Sequence, residues 1–276
     1  MLRTSNPALS DKVWARSIPA DQLQDGWGAP TQVPPGPDGA SPWTPSRPYA
    51  TMTVGGSVSA TAVLLVVLVA FGVFGWNSVE APRNALDSVA LPGWIFLAVF
   101  GALGIAILTA FKPNLARFTA PVYAAVQGLA VGAISAVYQF QFEGIVVQAI
   151  GLTVGITAIM LALYGLRIIK VTEKFRMGVV AATGAIFLVY MLSLVLGLFG
   201  VDMPFLHDTG PVGIIISLVI VGVAALNLAL DFDFIERGVQ GGAPKHMEWY
   251  AAFGLLVTLV WLYLELLRLL SKLQSR

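Results

Sequence analysis

Three carboxylates lie close together in the stretch LDFDFIERG, between two long apolar runs. They belong to Asp231, Asp233 and Glu236. Carboxylates in such a place either stay solvated in a loop or, where a helix buries them, hold a proton or bind a cation. The elements that position these three acids therefore decide which chemistry is open to each of them.

The composition identifies the environment of those elements. Of the 276 residues, 57% are hydrophobic and 11% are charged, whereas soluble domains have about 25% charged residues. Mean hydropathy is +0.80, so membrane lipid is the first expected partner. A net charge of +1 with no basic stripe argues against a nucleic-acid partner. The absence of cysteine excludes disulfides, thiolate metal sites and cysteine nucleophiles.

Seven apolar stretches follow residue 50, each near the roughly 20 residues that a helix needs to cross about 30 Å of hydrocarbon. Open-ended backbone in lipid must be helical, and the alternation of barrel strands is absent. The sequence therefore predicts an all-α integral membrane protein, a seven-helix transmembrane domain over residues 51–276. The stretches lie at 54–76, 91–111, 119–140, 145–166, 177–200, 211–237 and 248–270.

The N-terminal tail differs in composition and indicates the topology. Residues 1–50 hold nine of the sixteen prolines, and this composition is typical of disordered segments. The tail and the loops on its side carry twelve of the sixteen Lys and Arg residues. The positive-inside rule then predicts a multi-pass cell-membrane protein with a cytoplasmic N-terminus and an external C-terminus.

Several helices carry pairs of small residues that would let backbones approach closely. Close helix packing and the lining of a narrow pore are both compatible with these pairs. They are Gly128 with Gly132, Gly151 with Gly155, Gly101 with Gly104, and Gly197 with Gly200.

Helix-end signals place the three acids inside the sixth helix. Pro211 suits a first helical turn with Asp208 or Thr209 as the cap, and Gly238 is the first good stop after it. An end at Arg237 puts a cation at the negative end of the helix dipole. Asp231 then lies roughly 9 Å inside the end.

Helical spacing separates the roles of the acids. Asp233 and Arg237 stand four apart and should form an ion pair, and Glu236 lies in the last turn near water. The neighbours of Asp231 on its face include Asn227 and no cation. A carboxylate at this depth must find a partner on another helix, take up a proton or bind a cation.

The last helix offers polar groups that could face Asp231. Thr258 lies at a matching depth and shares a helix face with Glu265, which is expected to pair with Arg268 near the outer surface. Additional candidate partners on the third helix are Gln127, Tyr123 and Tyr138, although buried hydroxyls and amides also act as packing contacts.

Three segments resemble the Bax inhibitor-1-like family in a bacterial form: APVYAAVQGLAVGAISAVY, LALDFDFIERG and LVTLVWLYLELLRLL. The resemblance covers about residues 50–276 and leaves the tail out. It implies seven helices, the last one central and surrounded by three antiparallel pairs. It also implies a pH-sensitive calcium leak, governed by two aspartates that share a proton, and links to cell-death suppression or to a membrane protease.

Residue by residue, the resemblance maps the sixth-helix aspartate onto Asp231 and the seventh-helix aspartate onto Thr258. Many members also carry a glutamate at the position of Gln127. Both differences remove negative charge from the ion path that the resemblance implies. The two-aspartate gate therefore does not transfer intact.

The resulting hypothesis is a pH-modulated cation leak without a resident cofactor, in which Asp231 is a transient calcium ligand. Thr258, Asp233 and Glu265 are its candidate gate partners, and Gln127 and Asn227 its candidate lining. The alternative is a non-transporting regulator that binds a membrane protease or another membrane partner. No enzyme is expected, because no catalytic motif is evident.

Overall fold

The chain folds into seven long helices, seen in a computed structural model that describes residues 50–81, 92–199 and 210–275. Within these ranges the structure confirms the predicted all-α class, and every helix is long and apolar enough to cross a membrane. The tail and its predicted disorder lie outside the described residues. The helices are α1 (Val54–Asn77), α2 (Trp94–Phe111), α3 (Ala116–Gln141), α4 (Ile145–Gly165), α5 (Glu173–Leu198), α6 (Pro211–Gln240) and α7 (Met247–Gln274).

Several helix boundaries differ from the predicted stretches by one to four residues, and α5 shows a clear local reason. Helix α5 begins at Glu173 rather than near 177, because the Thr172 side chain accepts a hydrogen bond from the Phe175 N–H and caps the helix. Helix α6 begins at Pro211 as predicted, with Gly210 as its cap, and the proposed caps at 208 and 209 lie outside the described residues. The predicted end at Gly238 is wrong, since α6 continues to Gln240.

The last helix is the centre of the bundle, as predicted. Helix α7 packs against α1, α3, α4 and α6. Leu256, Leu262 and Leu267 are fully buried along its length. A helix that is buried on several sides can position polar side chains against several neighbours at once.

Helices α1 and α3 run parallel and pack backbone against backbone. A Cβ atom at Gly128 would collide with the carbonyl of Leu68, and one at Gly132 would collide with the carbonyl of Gly72. The predicted close approach at Gly128 and Gly132 is therefore confirmed.

The other glycine pairs show no such close contact within the described residues. The helix that carries Gly101 and Gly104, α2, packs on α3. Gly200 lies outside the described residues, and Gly101 has only the Val126 side chain nearby, 3.9 Å from an added Cβ. No neighbouring atom of the described residues lies within 4 Å of an added Cβ at Gly104, Gly151, Gly155 or Gly197.

A short extended segment joins the start of α1 to the loop between α6 and α7. The Met52 N–H donates to the Ala243 carbonyl at 2.7 Å, and the Lys245 N–H donates to the Ala50 carbonyl at 3.0 Å. The Met52 side chain is buried. We call this end of the bundle, where α1, α3 and α7 begin, the Thr53 end, and the opposite end the Lys272 end.

Candidate functional site

Asp231 presents its carboxylate to the last helix. It lies on α6, which ends at Gln240, so it is roughly 14 Å from that end at 1.5 Å per residue. One carboxylate oxygen, Oδ2, is buried and has no hydrogen-bond partner among the described residues. The other oxygen, Oδ1, lies 3.7 Å from the position that a Cβ would take at Gly254 of α7. The carboxylate therefore lies within van der Waals contact distance of the Gly254 position.

Thr258, one turn further along α7, is the polar neighbour of Asp231. Its buried side chain forms a hydrogen-bonding contact with the Asp231 carboxyl group. The same hydroxyl donates to the Gly254 carbonyl at 3.2 Å. A threonine hydroxyl has a single proton, so it cannot donate to both oxygens at once.

The proton on Asp231 therefore decides which way the Thr258 hydroxyl turns. A protonated Asp231 donates to the hydroxyl, which keeps its own bond to the Gly254 carbonyl. A charged Asp231 competes for the hydroxyl proton, because a carboxylate is the stronger acceptor. The contact between α6 and α7 thus has two hydrogen-bonding arrangements that differ by one proton.

A permanent metal centre does not match these residues. No group of three or more His, Asp or Glu side chains able to hold a metal ion occurs within the described ranges. Calcium takes about six to eight oxygen ligands, several of them carboxylates in tight sites. Asp231 offers one carboxylate, and Thr258 and Gly254 add a hydroxyl and a carbonyl oxygen, which suits brief coordination of a passing cation.

The other two acids of the opening stretch have cationic partners. Asp233 forms the predicted ion pair with Arg237, four residues later. Glu236 accepts hydrogen bonds from Arg167, at 2.5 Å, and from Tyr164. The hydrogen bond between Arg167 and Glu236 and the negative charge of Glu236 raise the pKa of Arg167 above its ordinary value. Asp231 is therefore the acid of this stretch that has no cation beside it within the described residues.

The two candidate lining residues lie on different helices, Asn227 on α6 and Gln127 on α3, and neither forms a hydrogen bond with Asp231 within the described residues. Asn227 donates to the Thr183 hydroxyl of α5 at 2.8 Å and to the Val223 carbonyl at 2.9 Å. Gln127 is half-buried on α3. It follows Tyr123 by one turn on the same face, and the Tyr123 ring packs edge-on against Phe253 of α7.

Glu265 belongs to a separate polar cluster nearer the Lys272 end, roughly 10 Å beyond Thr258 along α7. Its predicted pair with Arg268 is confirmed at 2.9 Å, and Glu265 itself is only 2% exposed. The Tyr190 hydroxyl of α5 donates to Glu265 at 2.7 Å and accepts from Arg268 at 2.5 Å. Tyr138 of α3 lies close enough to Arg268 for an electrostatic interaction between the two side chains.

Two further buried charges were not identified from the sequence. The carboxylate of Glu248, in the first turn of α7, accepts from both the N–H and the hydroxyl of Thr53 at 3.0 Å. The Lys272 ammonium donates to the Gly213 carbonyl at 3.1 Å and to the Ser217 hydroxyl at 2.9 Å. An acid in a first helical turn is a recognisable signal, whereas nothing local in the sequence marks the Lys272 contacts.

The family model described as Bax inhibitor 1 like matches residues 6–275 of the chain. This match includes most of the tail, so the expectation that the resemblance stops near residue 50 is wrong. No curated protein and no solved structure matches the chain.

Proposed function

The chain belongs to the Bax inhibitor 1 like family, and from this membership and the site at Asp231 we propose that it is a pH-modulated cation leak. The observation that carries the proposal is the buried Oδ2 atom of Asp231, which has no hydrogen-bond partner among the described residues. A carboxylate without a cation at membrane depth is a site for a proton or for a permeating ion.

Two states of Asp231 would control the leak. In the charged state the carboxylate attracts a cation and draws the Thr258 hydroxyl away from the Gly254 carbonyl. In the protonated state the attraction is lost, and the acid proton bonds α6 to α7 through the hydroxyl. Acidification should therefore reduce cation flux.

The expected ion is calcium or another cation that prefers oxygen ligands. A single carboxylate with neutral oxygens binds calcium weakly and releases it quickly, as conduction requires. We further propose that the Thr53 end faces the cytoplasm, because the basic residues of the chain concentrate on that side. Asp231 would then respond to cytoplasmic pH.

Flux through purified protein in liposomes tests the proposal. We expect calcium flux to rise several-fold between about pH 6 and about pH 8 in the wild type, because a higher pH favours the charged carboxylate that attracts the cation. Asp231→Asn should give low flux without this rise. Glu173→Gln is the matched control, since Glu173 pairs with Arg176 and its side chain is 70% exposed. Equal flux in wild type and Asp231→Asn at every pH would refute the gate.

Substitutions at Thr258 separate the roles of charge and hydroxyl. Thr258→Val removes the hydroxyl and should weaken the pH response while leaving flux at high pH. Thr258→Asp places a second carboxylate beside Asp231, and the two would share a proton. We expect a steeper pH response from this variant. An unchanged response in both variants would show that Thr258 takes no part.

A chain that passes no ion at any pH would instead support the regulator hypothesis. In that case the protein acts by binding a membrane protease or another membrane partner. Deletion of residues 1–48 distinguishes the two cases, because flux belongs to the helices whereas an interaction carried by the tail would be lost.

A further inference from the structure

A deep groove opens between α1 and α4 at the side of the bundle. Its volume is about 870 Å³, and its floor is formed by α3 and α7. Rim residues are open to the surroundings: Val69 is 60% exposed and Val154 is 63% exposed. The walls include Leu65, Val69 and Val73 of α1 and Ile150, Val154 and Ala158 of α4.

The described residues that line the groove are mainly apolar and include no charged side chain. Its hydroxyls are satisfied within the protein: Thr153 donates to the Ala149 carbonyl and Thr157 to the Thr153 carbonyl, each at 2.7 Å. Ser135 donates to the Val131 carbonyl and shares a hydrogen bond with the Tyr263 hydroxyl, both at 2.7 Å. An occupant that displaces no hydrogen bond must itself be apolar.

The position of the groove matches one leaflet of a membrane. Along α1 its lining runs from Leu65 to Trp76, a rise of roughly 16 Å. Half of the hydrocarbon core is about 15 Å thick. The lining comes from the part of α1 that is remote from Thr53 and from the first two-thirds of α4, so the groove lies toward the Lys272 end.

The length and chemistry of the groove fit a hydrocarbon chain. Its mainly apolar lining extends roughly 16 Å along α1, close to the depth that an acyl chain occupies in one leaflet. We propose that the groove binds one acyl chain of a phospholipid from the leaflet at the Lys272 end. Neither Asp231 nor Thr258 lines this groove.

Photo-crosslinking with a phosphatidylcholine that carries a diazirine on its acyl chain tests this site. After reconstitution and irradiation, peptides from the groove walls of α1 and α4 should be labelled at least five-fold more than the exposed face of α5, which reports ordinary surrounding lipid. Leu188 of α5, 67% exposed, marks that reference face.

Two variants fill the groove from positions that should not disturb folding. Ala158→Trp fills the wall and Val154→Trp fills the mouth, and both positions are exposed. Each should reduce groove labelling to the level of α5. Val147→Trp is the control on the same helix, because Val147 is 74% exposed and does not line the groove. Its labelling should match the wild type.

Three outcomes would overturn the proposal. Groove labelling no higher than that of α5 would mean that only surrounding lipid contacts the walls. Strong labelling that persists in both filled variants would place the lipid elsewhere. Crosslinks between two copies of the chain through the groove walls would show that the occupant is protein.

Discussion

Asp231 of α6 and Glu265 of α7 each have a buried carboxylate oxygen beside or on the last helix. The surroundings of the two carboxylates differ. Glu265 has Arg268 at 2.9 Å and the Tyr190 hydroxyl at 2.7 Å on the same oxygen. Asp231 has the Thr258 hydroxyl beside it and no cation within the described residues. Burying a charge is costly unless it is paired and hydrogen-bonded. The two sites therefore meet the same physical demand in two ways.

The difference indicates which acid stabilises the bundle and which one can change state. An ion pair with a shared tyrosine ties α5 to α7 through Glu265. A carboxyl group whose neighbour is a single rotatable hydroxyl can gain or lose a proton with little rearrangement. Glu248 lies between these extremes, since it has two hydrogen bonds from Thr53 and no cation partner within the described residues.

Replacing each carboxylate by the amide of the same size tests this comparison, and Glu265→Gln should have the largest effect. It removes the negative charge that faces Arg268, a guanidinium whose side chain is 38% exposed. We expect the free energy of unfolding to fall by about 2 kcal/mol, less than for a fully buried pair. Unfolding by a denaturing detergent measures it. The exposed pair of Glu173 and Arg176 is the control, and Glu173→Gln should cost less than about 0.5 kcal/mol.

If Glu265→Gln lowers the free energy of unfolding as little as Glu173→Gln does, Glu265 does not stabilise the bundle. Tyr190→Phe then identifies which bond matters. It removes the hydroxyl that joins Glu265 and Arg268 and should cost about 1 kcal/mol if the cluster works as a unit.

Glu248→Gln should have an intermediate effect. The amide oxygen still accepts from the Thr53 N–H or hydroxyl, but the negative charge near the N-termini of α1 and α7 is lost. We expect a loss of about 1 kcal/mol in the free energy of unfolding, which is the usual size of the interaction between an acid and the dipole at a helix N-terminus. Detergent unfolding again measures it. A loss greater than that of Glu265→Gln would mean that the charge of Glu248 has a stronger partner than Thr53.

The sequence predicted those features that depend on neighbours along one helix. Hydropathy predicts the seven membrane spans. Helical spacing predicts the ion pairs of Asp233 with Arg237 and of Glu265 with Arg268, and it shows that Asp231 has no cation nearby on its own helix. The end of α6 was missed, because a helix can continue through Gly238 when later residues still form its hydrogen bonds.

Features formed between helices were not predictable in the same way. The site of Glu265 is completed by Tyr190, which lies 75 positions away in the chain. The Thr53 contact with Glu248 spans 195 positions. The groove depends on the gap between α1 and α4, and neither helix carries a local signal for it. Gly128 and Gly132 have close neighbours, whereas Gly151 and Gly155 have none within 4 Å, although both pairs have the same spacing.

Asp231→Asn should have the smallest effect on stability, and this is the sharpest test of the comparison. The change removes a charge that has no cation beside it within the described residues, and the new amide can still bond to Thr258. We expect the free energy of unfolding to change by less than about 0.5 kcal/mol or to rise, since an unpaired buried charge opposes folding. The same detergent unfolding measures it beside Glu265→Gln. A loss near 2 kcal/mol would reveal a cation partner for Asp231 outside the described ranges, and the proton on Asp231 would then no longer be free to control α6 and α7.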